Sequence, residues 1–360
     1  MRRSSHFAAV TASGVAGVAI ALVLGYYASK AANYSSLIDV VIEGDLPIEK
    51  DAEMGFAPTR NGSTRRTHPR VRRSFHIFTD DRGGRVGSPS PPRRQSVAIM
   101  ALGCSFTWGH LLENEQAYPQ ILSDRLGVPV ENLAFGSFGT VQALQMLRRN
   151  VDLRPELVIY GFIDDHLRRN LTGCALSYAP LCLPMAYVTL TEDNRPVLSP
   201  PPPGDFDLNR QFFLEFLASD RRLSFGKVIM AARADWARPL VSRARDDPEA
   251  RQKALGLLLH EMRSTTRSIG ARLLVAYIPN PGRSATRPPS EQLTSVLREM
   301  AADDVVYVDL APAFLRWYSD DTKESLQIEG DGHPNARAHE LIAGEIERVV
   351  REKRLVTGVF

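Results

Sequence analysis

From Ser96 onward, short apolar runs alternate along the chain with amphipathic stretches. Val97–Leu102, Val128–Leu133, Leu157–Phe162, Leu273–Ile278 and Val305–Val308 are bounded by polar or turn residues and predict buried strands. Between them, Gln116–Leu126, Val141–Val151, Glu249–Ser268, Glu291–Met300 and Ala336–Arg351 predict helices. Strand–helix alternation at this spacing implies a parallel sheet covered by helices on both faces. Ligands of such sheets sit at the carboxyl ends of the strands, so chemistry is sought just after each strand.

Residues 167–248 break the alternation. They hold Cys174, Cys182, the run Ser199-Pro200-Pro201-Pro202-Pro203-Gly204 and two further predicted helices around Arg210–Ser219 and Lys227–Arg243. This segment reads as an insertion over the sheet. Outside the cytoplasm Cys174 and Cys182 could join in a disulfide; two free loop thiols are the alternative.

The first 95 residues follow other rules. Phe7 to Tyr27 is a 21-residue run without a charge, preceded by Arg2 and Arg3 and followed by Lys30. A run of about 20 residues matches a membrane-spanning helix, and the flanking charges would keep the N-terminus cytoplasmic. Residues 1–32 are therefore expected to be an N-terminal transmembrane anchor, single-pass in an inner membrane with the remainder periplasmic. Ser29-Lys30-Ala31 leaves open a cleaved signal sequence and a secreted product. Residues 33–95 are expected to be a basic connector with at most one extended piece, Ser74–Thr79. Between Arg60 and Arg94 it carries ten arginines against Asp80 and Asp81. Adhesion to anionic lipid or acidic glycan and a plain solvated linker both fit that composition.

Composition narrows the function classes. The 360 residues hold 44% hydrophobic and 24% charged positions, which excludes disorder throughout. A net charge of +3 argues against a dedicated nucleic-acid binder, and three cysteines are too few for a disulfide framework or a zinc module. No Gly-x-Gly-x-x-Gly or phosphate-loop pattern follows the first strand, and no His/Asp/Glu cluster has metal-ligand spacing, so neither cofactor nor metal is expected.

Two places carry candidate chemistry. The first strand runs into Gly103-Cys104-Ser105-Phe106-Thr107-Trp108-Gly109, which places a serine hydroxyl at the ligand-binding edge; a simple tight turn would look the same. Far along the chain, Asp331-Gly332-His333-Pro334-Asn335 opens the last helix. A histidine there can act as a general base, with a nearby carboxylate fixing its tautomer.

These blocks resemble the SGNH/GDSL hydrolase family, in the family's order. Gly103-Cys104-Ser105-Phe106-Thr107 resembles block one, with Cys104 where the family usually has aspartate. Asn132-Leu133-Ala134-Phe135-Gly136-Ser137-Phe138-Gly139 resembles block two, Tyr160-Gly161-Phe162-Ile163-Asp164-Asp165 block three, and Asp331–Asn335 block five. Ile77–Gly83 and Tyr118-Pro119 are also similar to membrane-anchored members. The resemblance covers about Ser96 to Arg351 without the insertion.

It implies a three-layer, flavodoxin-like α/β fold with about five parallel strands and helices on both faces, residues 96–360 forming the domain. It also implies a serine mechanism with Ser105 as nucleophile, His333 as base and Asp331 as its acid partner, with Glu329 and a plain Ser–His dyad as alternatives. The oxyanion would be held by Ser105 N–H, by block two at Ser137 or Gly136, and by the block-three position. That position is Asp164 instead of the family's asparagine, and an ionised carboxylate cannot donate; His166 beside it could supply a proton or a charge. The expected reaction is hydrolysis of small O-acyl groups, acetyl above all, on an envelope glycan or other small ester. O-acyl transfer and a catalytically weakened glycan-binding module are the alternatives.

Overall fold

The computed structural model describes residues 17–29, 31, 41–45, 47–68, 73–89, 91, 94–175, 183–203, 225–226, 228–229, 246–300, 304–319 and 324–359. The strands in chain order begin with β1 (Val41–Gly44), β2 (Ile48–Asp51), β3 (Gly55–Pro58), β4 (Ser63–His68), β5 (Arg73–Thr79) and β6 (Arg85–Val86). They continue with β7 (Ile99–Gly103), β8 (Val130–Asn132), β9 (Leu157–Phe162), β10 (Cys174–Ala175), β11 (Leu183–Pro184), β12 (Tyr187–Leu190) and β13 (Pro196–Ser199), and close with β14 (Arg272–Tyr277) and β15 (Val305–Asp309). Helices are α1 (Ser105–Trp108), α2 (Tyr118–Leu126), α3 (Thr140–Arg149), α4 (Asp165–Arg169), α5 (Pro248–Ser268), α6 (Glu291–Glu299), α7 (Ala311–Ser319) and α8 (Ala336–Glu352).

Among the described residues, nine strands form one sheet in the order β1-β4-β5-β6-β8-β7-β9-β14-β15. The last five of these are parallel to one another. Their side chains alternate between two cores. Met100, Leu102, Val158, Tyr160, Leu273 and Val275 face the side of α3, α5 and α6. Ile99, Ala101, Ile159, Leu274 and Ala276 face the side of α2 and α8. Burial of both faces is why these strands read as uninterrupted apolar runs.

The expected architecture needs two corrections. First, the sheet is larger than five strands, because residues assigned to a connector extend it. β4, β5 and β6 add antiparallel to one another, and β6 joins β8 through Arg85 opposite Asn132. β5 buries Phe75 and Ile77 while Ser74 and His76, alternating with them, are exposed, so one face is covered and the pattern is diluted by polar residues. Second, among the described residues no helix is long and apolar enough to cross a membrane. Residues 17–29 are helical. Residues 7–16 of the apolar run lie outside the described residues, as do nearly all of the two helices expected within the insertion.

β8 lies on one side of β7 and β9 on the other, so successive connections leave β7 in opposite directions. This reversal opens a crevice at the carboxyl ends of β7 and β9, where ligands of open α/β sheets bind.

Candidate active site

β7 delivers the chain into that crevice through Gly103, whose φ of 148° is open to few other residues. A Cβ at Gly103 would stand 2.5 Å from Thr107 Oγ1 and 2.8 Å from the Gly161 carbonyl of β9. Only a glycine lets β7 and β9 approach this closely just before the serine. Cys104 is extended, Ser105 opens α1, and Gly109 closes that single turn in the left-handed region. Ser105 is thereby set at the sheet edge and largely buried.

His333 comes to it from 228 residues away, its Nε2 lying 2.9 Å from Ser105 Oγ. The other ring nitrogen, Nδ1, is hydrogen-bonded to Asp331 Oδ1, which also accepts the His333 backbone N–H at 3.2 Å. With Nδ1–H on the carboxylate, Nε2 presents its lone pair to the serine hydroxyl. Gly330 and Gly332, both at positive φ, fold the turn that brings Asp331 back onto His333. Asn335 then caps α8 by accepting the Ala338 N–H at 3.0 Å, which anchors the end of the loop. Burial pushes the Asp331 carboxyl up, but the His333 hydrogen bond and the His333 and His110 charges outweigh it and hold it at about 2. Ser105, Asp331 and His333 thus stand together, with Asp331 rather than Glu329 on the imidazole.

The other residues expected at the oxyanion separate. Ser137 is buried and has a φ of 66°, a left-handed position for a non-glycine. Gly136 precedes it in the same turn. Asp164 is exposed and acts as an acceptor: its Oδ2 takes the Tyr277 hydroxyl at 2.9 Å and its Oδ1 the Ser290 N–H at 3.3 Å. His166 supplies no compensating charge. It is fully buried with Nδ1 on the Tyr160 hydroxyl at 2.7 Å, and burial together with the Arg169 charge keeps it far below the usual histidine range.

Three side chains at the site escaped the sequence reading. His110 follows α1 and packs its ring 4.4 Å from that of His333, with Nε2 3.9 Å from Asp331 Oδ2. Ligand atoms of His110, Asp331 and His333 all lie within 4.8 Å of one another, a grouping with no linear spacing to betray it. Arg85, from the expected connector, is buried; its Nη1 donates to the carbonyls of Trp108 at 2.7 Å and Gly109 at 2.6 Å, and its Nη2 to Leu112. It holds the loop that follows Ser105 and carries His110. Arg169 donates to the Phe138 carbonyl at 3.1 Å and to Asp165 at 3.2 Å. In the insertion Cys174 is disulfide-bonded, while Cys104 is buried and free. Cys182 lies outside the described residues.

A hydroxyl, an imidazole and a carboxylate in one hydrogen-bonded chain at a sheet's carboxyl edge can perform nucleophilic acyl chemistry. No family model matches the chain, and no curated protein matches it. Solved structures similar to it include those of lipolytic and ester-cleaving proteins. TesA is 14% identical, with a TM-score of 0.35 over 71% of this chain and 98% of its own. A protein described as lipolytic and of the G-D-S-L family, from Desulfitobacterium hafniense DCB-2, is 13% identical, with a TM-score of 0.36 over 72% and 98%. The acetyl xylan esterase Est2A from the rumen bacterium Butyrivibrio proteoclasticus is 11% identical, with a TM-score of 0.37 over 83% and 72%. At these identities and scores the likeness assigns no activity to the chain.

Proposed function

We propose that this protein is a serine esterase that removes small O-acyl groups, acetyl foremost, from a glycan or another small ester. The observation that carries the reading is the hydrogen-bonded chain from Ser105 through His333 to Asp331. In the reaction, Ser105 Oγ attacks the ester carbonyl as its proton passes to His333 Nε2. Asp331, ionised throughout, stabilises the imidazolium through Nδ1–H. The tetrahedral intermediate collapses, Nε2 returns the proton to the leaving alcohol, and an acyl group remains on Ser105. Water then attacks the acyl-enzyme with His333 again as base, releasing the acid and restoring the serine. A disulfide at Cys174 fits action outside the cytoplasm, where such bonds persist.

The test is acid release from p-nitrophenyl acetate by the parent and by Ser105→Ala. The variant should be inactive; equal rates would remove the serine from the mechanism. Acyl transfer would show instead as slow hydrolysis that rises with an added sugar hydroxyl and yields acyl-sugar. The engaged carboxylate of Asp164 favours one further reading, a weakened glycan-binding module. That reading requires an inactive parent, no gain from Asp164→Asn, and retained glycan binding.

A further inference from the structure

The donor that Asp164 cannot provide has a replacement one helical turn further on. Arg169 ends α4, the short helix that begins immediately after Asp164. Its side chain is only 17% exposed, so the guanidinium points inward rather than into solvent. Nη1 is fixed by the Phe138 carbonyl, next to Ser137, and Nη2 by Asp165 Oδ2. A Cβ added at Gly139 would stand 3.2 Å from Arg169 Cβ, so the block-two turn and this arginine are in direct contact. The turn it holds is fastened to the end of β7, where the Phe135 N–H donates to the Gly103 carbonyl at 3.2 Å, two residues before Ser105. Burial pushes the Cys104 thiol up, and the Arg169 charge opposes this. One cation therefore holds the Ser137 turn, which is itself tied to the strand end that delivers Ser105.

On the serine-esterase reading above, we propose that the Arg169 guanidinium is the third oxyanion contact, taking the place of the asparagine side chain that this sequence lacks. An arginine has five N–H donors in a rigid plane. Bonds to Phe138 and Asp165 hold the fork while leaving donors for a developing alkoxide, and a full charge in a partly buried site stabilises that alkoxide more than a neutral amide does. Asp165 serves as counter-ion on the solvent side. Asp164 is left free for a structural task, tying β9 to Tyr277 of β14 and to the start of α6 through Ser290.

The experiment compares Arg169→Met, Arg169→Lys and Asp164→Ala with the parent. It measures kcat and KM on p-nitrophenyl acetate and the rate at which a fluorophosphonate probe labels Ser105. Arg169→Met should lower kcat and the labelling rate by about 10²–10³ with KM within threefold, the usual loss for one oxyanion donor. Arg169→Lys should restore melting temperature but remain at least tenfold slow, because a point charge does not reproduce the fork. Asp164→Ala should stay within about threefold of the parent. Arg169→Met within threefold of the parent would overturn the proposal, as would a fully active Arg169→Lys or an equal loss from Asp164→Ala. A parent whose Ser105 is not labelled at all would instead sink the esterase reading, an outcome distinct from labelling that ignores Arg169.

Discussion

Arg85→Met tests whether a residue from the first hundred positions sustains the active site. The substitution keeps length and apolar stem but removes every donor. Three buried carbonyls, those of Trp108, Gly109 and Leu112, lose an ionic partner. Hydrogen bonds to a charged group contribute about 1.5–3 kcal/mol each, giving a gross loss of roughly 5–9 kcal/mol. Part of this is offset because the cation no longer has to be buried. Burial pushes Arg85 down from 12.5 to about 10. That difference of 2.5 corresponds to a relief of about 3 kcal/mol. The net is roughly 4 kcal/mol, which for a domain of this size lowers Tm by about 8–16 °C. Because the released loop carries His110 and continues α1, kcat on p-nitrophenyl acetate should fall at least tenfold. Differential scanning fluorimetry and steady-state kinetics on the same preparations read both effects. A variant that melts within 2 °C of the parent and hydrolyses at the parental rate would refute the reasoning.

Glu131 should make stability depend on pH. Burial and the neighbouring Asp80 charge push it up to about 8, and the Arg94 pair opposes this without reversing it. Its ordinary value is 4.5, so the folded state holds the proton more tightly than the unfolded one. The stabilisation is full below about 4.5 and fades as pH rises through 8, by up to roughly 5 kcal/mol. Guanidinium midpoints between pH 5 and 9 should decline for the parent and stay flat for Glu131→Gln; parallel declines would refute the assignment. Asp331 behaves in the opposite sense. Held at about 2 against an ordinary 3.8, it adds stability above 3.8 that is lost as pH falls through 2. Asp331→Asn should lower kcat by about 10³–10⁴ and give up that stability at neutral pH, and a kcat loss under tenfold would reduce the site to a dyad. Gly103→Ala must place its methyl 2.8 Å from the Gly161 carbonyl at a φ of 148°. We expect a kcat loss exceeding any change in KM, with an unaffected kcat showing that the turn has more slack than its contacts imply.

What was legible in the sequence follows from how each feature is encoded. The parallel strands β7, β9 and β14 announced themselves because helices cover both their faces and leave no polar alternation. Of the strands before them only β5 was legible, as the extended piece Ser74–Thr79 with Phe75 and Ile77 reaching the core, whereas Arg65 and Arg66 dilute β4. Ser105 and His333 could be found because each stands at a turn marked by glycine, at a strand end and a helix start. Arg85, His110 and Arg169 could not, because nothing local distinguishes a buried arginine from the many exposed ones. Their roles are set by carbonyls and rings tens to hundreds of residues away. The left-handed Ser137 lies between, since the position was legible but its backbone conformation was not.

The single sheet shared by β1, β4, β5 and β6 with the five parallel strands also orders assembly in time. A nascent chain emerges with β4, β5 and β6 already available to pair with one another, yet their place in the sheet is defined only when Asn132 of β8 arrives opposite Arg85. At about 5–20 residues per second that interval of 47 residues lasts roughly 2–9 s, during which an antiparallel edge and a cationic side chain await their partners. The carbonyls that receive Arg85 lie within that interval, at 108, 109 and 112. The arginine can therefore seat before the sheet closes, making the clasp on the loop after Ser105 an early event and the docking of His333, more than 200 residues later, a late one.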